Sequence, residues 1–290
     1  MPGINDLEFN KVDEPLRYVL KKFANLIDRE WPPTVNQKGG THIIFHSFVL
    51  VAETTYRTII WICAETPSLA GRDSKFVLSV PPLARAILDQ IFTVCFLSED
   101  IEYRSFWYFK AGWLEIKRQD LRERQRYGSD DKWKNVLSTN QDLLEKLGEL
   151  AKVAKDEKID PFPNPGRMHE YCKNKSLQDY LTFLNLWFYK QLSQAAHLSA
   201  TGLITRAFPQ VLVHSSLMPE KLLEERLVQI RSSTIVTVLT LTVALLSEIQ
   251  AILRFPSIGA DLRYLWTVLG TYWNEPKDLY ARRYDSLLTS

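Results

Sequence analysis

The run Thr234 to Leu246, TIVTVLTLTVALL, passes thirteen positions without a charge and constrains the chain more than any other feature. A bilayer span needs about 20 apolar residues, and Glu248 arrives too soon to allow one. A helix that is apolar on every side has to be covered by other elements. The run is therefore expected to be the buried centre of a helical bundle, within a longer helix from Glu220 to about Phe255.

The remaining segments read as helices that could provide the cover. Leu16, Val19, Leu20, Phe23, Leu26 and Ile27 form one stripe and predict a helix over 14–29, stopped by Trp31-Pro32-Pro33. Thr41 to Ala64 predicts a second helix, buried on most sides, and a loop follows over 66–79. Pro81-Pro82 open a third helix to about Leu97, because proline is tolerated where the first-turn N–H has no partner. Asp100 reads as the N-cap of a fourth, Ile101 to Arg126, aromatic in its first half and charged in its second. Asp130 to Lys158 predicts another charged helix, which would complete a projecting antiparallel hairpin over 115–158. The breaker Asp160-Pro161-Phe162-Pro163-Asn164-Pro165-Gly166 precedes short helices at 168–172 and 176–196. A polar loop spans 199–219, and a C-terminal helix or pair is expected over 261–288. The expected fold is all-α: a multi-helix bundle with a projecting charged helical hairpin. Residues 1–40 would be an N-terminal helix and linker, and 41–290 the bundle domain.

Composition narrows the function classes. With 46% hydrophobic and 12% aromatic residues the chain can build a core, so disorder is excluded. A net charge of +2 gives no whole-molecule attraction to nucleic acid or membrane. Cys63, Cys95 and Cys172 form no CxxC pair and read as free thiols of a reducing cytoplasm. The N-terminus lacks a signal-peptide pattern, so the expectation is a cytoplasmic protein with no membrane association. No GxxxxGK[ST], GxGxxG or HExxH motif occurs, and no cofactor is expected.

Four constellations carry possible chemistry. Tyr189 to Ser199, YKQLSQAAHLS, gathers a cation, two hydroxyls and an imidazole at the end of an apolar helix. Polar groups there either cap the last carbonyls or do chemistry. Lys190 and His197 lie nearly two turns apart, and His197 has the ordinary pKa of a general base or acid. Arg85 and Asp89, four apart on the third helix, are either an anchor for a polar pocket or a structural ion pair. His42 and His46, with Glu53 further along the same stripe, are a weak metal candidate set against a plain hydrophilic face. Lys117, Arg118, Arg122, Arg124 and Arg126 alternate with Glu115, Asp120 and Glu123, a solvated face that could also meet RNA or a protein partner.

Two of these pieces resemble known patterns. Pro82-Leu83-Ala84-Arg85-Ala86-Ile87-Leu88-Asp89 resembles the R-x-x-x-E helix of an uncharacterised family of bacterial all-helical proteins. Tyr189-Lys190-Gln191-Leu192-Ser193 through His197-Leu198-Ser199 resembles that family's aromatic-basic-x-L-S segment leading to H-P-S. Asp89 stands where Glu is usual, which shortens the reach by one methylene, and Leu198 stands where Pro is usual. The pattern is similar, more loosely, to the HEPN superfamily, helical bundles that include metal-independent ribonucleases of toxin and phage-defence systems. Their Arg, four to six residues, then His corresponds to Lys190, six residues, His197, with lysine in place of the bidentate arginine. The resemblance implies RNA cleavage by His197, Lys190, Arg85 and Asp89 in a homodimer. The alternative expectation is a non-enzymatic interaction or regulatory protein in which the same residues tie helices together.

Overall fold

A computed structural model describes residues 6–29, 40–63, 78–153, 158–196, 215–216 and 219–288. The chain is an all-α multi-helix bundle, and no strand occurs among the described residues. The helices are α1 (Asp6–Arg29), α2 (Gly40–Cys63), α3 (Pro81–Ser98), α4 (Ile101–Tyr127), α5 (Lys134–Leu150), α6 (Lys175–Leu184) and α7 (Lys190–Ala196). They continue with α8 (Glu220–Leu253), α9 (Pro256–Tyr272), α10 (Asn274–Leu279) and α11 (Asp285–Leu287). Two five-residue π turns, Asn185–Tyr189 and Tyr280–Tyr284, interrupt the helices.

The charge-free run forms the bundle axis. Val238 to Ile249 of α8 is buried throughout, and α8 packs on α2, α3 and α9. Its hydroxyls survive burial by bonding back along their own helix: Thr242 Oγ1 donates to Val238 O at 2.8 Å and Ser247 Oγ to Val243 O at 2.8 Å. Ser247 Oγ also accepts from Trp266 Nε1 at 3.0 Å, which ties α9 to α8. Two helices, Thr41–Cys63 and Glu220–Leu253, are long and apolar enough to cross a membrane by length and composition, and 78% of the second's most apolar window lies inside the bundle.

Boundaries differ most from the sequence reading in three places. Helix α1 begins at Asp6, earlier than Glu14, and carries Pro15 in its interior. Pro15 sacrifices one backbone bond, but Val12, Leu16, Val19 and Leu20 are buried on both sides of it and hold the helix together. Helix α5 ends at Leu150 rather than Lys158, in a turn where Lys152 has φ 50°. The stretch 176–196 is not one helix, because the first π turn divides it. Two terminal signals are as expected: Pro81 opens α3, and the Asp100 side chain accepts from Tyr103 N.

Helices α4 and α5 lie antiparallel, linked by Trp113 Nε1 donating to Leu144 O at 2.9 Å and Arg124 Nη2 to Leu137 O at 2.7 Å. At their turn the Tyr127 and Trp133 rings stack, centroids 4.1 Å apart. Helix α1 packs on α2 and α9, and its buried side chains belong to the same core as theirs.

Candidate functional site

Helix α3 crosses the segment that begins at the first π turn, and the contact is polar. Arg85 Nη2 donates to the Tyr189 hydroxyl at 2.6 Å, and Arg85 Nη1 donates to Ser193 Oγ at 3.2 Å. The guanidinium carbon also lies 4.7 Å from the centre of the Tyr189 ring. Asp89, one turn along α3, places Oδ2 3.8 Å from Arg85 Nε. That separation is too long for a hydrogen bond.

Each partner is held from behind. The Tyr189 ring meets Phe92 edge to face at 5.6 Å. On its other side Gly166 approaches so closely that an added Cβ would lie 2.7 Å from Tyr189 Cε1. Asn185 Nδ2 donates to Gly166 O at 2.9 Å and fixes the proline-rich breaker against the π turn. Ala84, Ile87 and Leu88 are buried in the core and set the face on which Arg85 and Asp89 stand.

Burial pushes the Asp89 carboxyl up to about 6, with the Arg85 charge opposing the rise. Its Oδ1 is buried and accepts no hydrogen bond. The crossing therefore combines a guanidinium, two hydroxyls and a carboxyl whose pKa burial raises to about 6. Such a group can pass protons as well as orient a neighbour.

Of the four residues expected to do chemistry, Arg85 and Asp89 are together at this crossing. Lys190 follows Tyr189 on an exposed face, while Tyr189 and Ser193 of the same segment both accept from Arg85. His197 lies outside the described residues, as do Leu198 and Ser199. Tyr189 is a site member that the sequence reading does not single out; its place in the aromatic-basic-x-L-S pattern is the available signal.

The His42, His46 and Glu53 group is not assembled as a ligand set. His42 Nε2 donates to Ile27 O at 2.9 Å, and the two imidazoles tilt against each other at 5.8 Å. Glu53 pairs with Arg57 at 3.5 Å. Among the described residues no three His, Cys, Asp or Glu side chains gather to hold a metal ion.

A second polar cluster, which the sequence did not signal, is largely buried, with Arg283 partly exposed at its edge. Glu248 is 2% exposed and receives Arg283 Nε and Nη2, each at 2.9 Å. Arg283 lies 5.0 Å over the Tyr180 ring, and the Tyr180 and Tyr284 hydroxyls bond to each other. Burial, reinforced by Glu248, pushes the Cys95 thiol well up. The arrangement ties α3, α6, α8 and the second π turn together.

No family model, curated protein or solved structure matches this chain.

Proposed function

We propose that the α3–α7 crossing handles a phosphodiester and that the chain is a HEPN-like, metal-independent ribonuclease of a toxin or phage-defence system, acting in the cytoplasm. The observation that supports this reading is the double hydrogen bond from Arg85 to Tyr189 and Ser193. It brings Arg85 and Asp89 to the segment that carries Lys190 and His197.

In this reading the 2′-oxygen of the substrate attacks phosphorus and the bond to the 5′-oxygen breaks. The products are a 2′,3′-cyclic phosphate and a free 5′-hydroxyl. His197 takes the proton from the 2′-hydroxyl or delivers one to the leaving oxygen. Lys190 holds the phosphate as a point charge, and Arg85 offsets the charge that builds on its equatorial oxygens. Asp89 orients Arg85, and its raised pKa adds a second proton site within the same crossing. The α4–α5 hairpin, with its interleaved charges, would meet the RNA backbone, and a second copy of the chain would complete the site.

The test is cleavage of total RNA by the wild-type protein and by Arg85→Ala, Asp89→Asn and His197→Ala, each with its melting temperature. Loss of cleavage in His197→Ala at an unchanged melting temperature supports the reading. Intact cleavage in that variant, or none by the wild type, overturns it.

One observation favours the non-enzymatic alternative. Arg85 donates to Tyr189 of the first π turn and to Ser193 of α7, as a strap between α3 and that segment would. A strap makes Arg85→Ala strongly destabilising, while His197→Ala changes nothing that is measured.

A further inference from the structure

Ala84 and Leu192, the chain neighbours of Arg85 and Ser193, face a different space. They line a cavity of about 520 Å³ between α3, the first π turn, α8 and the C-terminal elements. That volume lies within the range of small-molecule sites, about 300–1,000 Å³. Both π turns border it: the first contributes Trp187 and the second Arg282. Single π turns inside helices recur at functional sites.

The chemistry of the wall selects what could enter. Phe183, Trp187 and Trp273 supply aromatic surface, and Trp187 is 60% exposed. The α8 wall is hydroxylic, and three of its four hydroxyl protons, those of Ser233, Thr237 and Thr240, are already committed. Ser233 Oγ donates to Ile230 O at 3.0 Å, Thr237 Oγ1 to Ser233 O at 2.8 Å and Thr240 Oγ1 to Val236 O at 2.7 Å. Each hydroxyl has a single proton, so toward the cavity these three groups can only accept. Glu275 and Asp278, one turn apart on α10, can also only accept, and among the described residues neither forms an ion pair. The one cation of the wall, Arg282, lies 4.9 Å over the Phe183 ring. With two carboxylates and one guanidinium the wall has a formal charge of −1.

We propose that this cavity binds an organic monocation, a protonated amine or amidinium carried on a flat apolar body. The cation donates to the Glu275 and Asp278 carboxylates and the α8 hydroxyls, and its charge cancels that of the wall. The apolar body packs against Trp187 and Trp273, where a desolvated cation also gains from the ring faces. Arg282 over Phe183 already shows this pairing within the chain. The site is separate from the Arg85 crossing and does not depend on RNA cleavage.

Three probes of one shape and different charge test it on the full chain: benzamidine, benzamide and benzoate. Isothermal titration is expected to show saturable one-site binding of benzamidine, at least about tenfold weaker binding of benzamide, and none of benzoate. The paired variant Glu275→Gln, Asp278→Asn should lose about tenfold in benzamidine affinity at an unchanged melting temperature, since both residues are exposed. Arg85→Ala should retain benzamidine binding. Equal binding of benzoate, wild-type affinity in the paired variant, or no heat from benzamidine up to about 10 mM overturns the proposal. If the paired variant fails to fold, Trp187→Ala decides: unchanged benzamidine affinity there places the ligand elsewhere.

Discussion

Asparagine in place of Asp89 removes one proton site from the α3–α7 crossing and keeps the shape of the side chain. Burial lifts this carboxyl from 3.8 to about 6, against the pull of Arg85. A carboxyl with a higher pKa in the folded state than in the unfolded state holds its proton more tightly when folded. Below about pH 4 both states are protonated and the carboxyl costs nothing. As pH rises from about 4 to 6 the unfolded chain ionises first, and stability falls. Above that range the loss is complete and constant. At 1.36 kcal/mol per pKa unit the interval corresponds to about 3 kcal/mol. The side chain is 33% exposed, so solvent screening reduces this to about 1–2 kcal/mol. Urea denaturation of wild type and Asp89→Asn at pH 4, 5, 6 and 7 measures it. The stability of the variant relative to wild type should rise by about 1–2 kcal/mol between pH 4 and 6 and then level off. Parallel profiles would show that attraction to Arg85 cancels the effect of burial, and a gap that opens the other way that it outweighs it; either would refute the reasoning.

Other perturbations probe the supports. Gly166→Ala drives a methyl into Tyr189 Cε1, since the added Cβ would sit 2.7 Å away; a loss of about 1–3 kcal/mol is expected by thermal denaturation. Tyr189→Phe removes the acceptor 2.6 Å from Arg85 Nη2 and should cost about 1–3 kcal/mol in the same assay. Glu248→Ala leaves the guanidinium of Arg283 in the core without its carboxylate and should cost about 3–5 kcal/mol, or prevent folding. Burial raises Cys63 to about 12 and Cys172 to about 11. A thiol-disulfide reagent at pH 8 should therefore find no fast-reacting thiol among Cys63, Cys95 and Cys172 in the native protein, and all three after unfolding.

The elements most legible in the sequence were those whose signal is local. The charge-free run names the buried helix because thirteen apolar or hydroxylic residues have no other place to go. Pro81 and Asp100 mark helix starts because a proline N1 and an aspartate N-cap act within one turn. The start of α1 at Asp6 was not legible, because the helix runs through Pro15. Only packing on α2 and α9 explains why the helix continues through it. At the site, resemblance linked Arg85 to the Tyr189–Ser199 segment across about a hundred positions, a pairing that no spacing rule within one helix could have given. Which members of that segment meet Arg85 was illegible, because the π turn sets the register and has no signature in Asn185-Leu186-Trp187-Phe188-Tyr189. The aromatic cavity was illegible too. Its wall draws on α3, α6, α7, α8, α10 and both π turns, which are spread along the chain from Pro81 to Arg282.

Counting along the buried edge gives the first π turn a further meaning. Leu177, Leu181 and Leu184 are buried at helical spacing, and the next buried leucine is Leu192, eight positions on rather than seven. One residue between 185 and 189 is thus surplus to the helical repeat. The exposed Leu186 and Trp187 are where that surplus bulges outward. A chain shortened by one residue here would re-form a regular helix and still bring Tyr189, Leu192 and Ser193 round to face α3. Only the aromatic wall of the cavity would be edited. The same deletion one turn later would carry Ser193 away from Arg85 by about 100°. Length variation at this single point can therefore redesign one site while its neighbour stays in register.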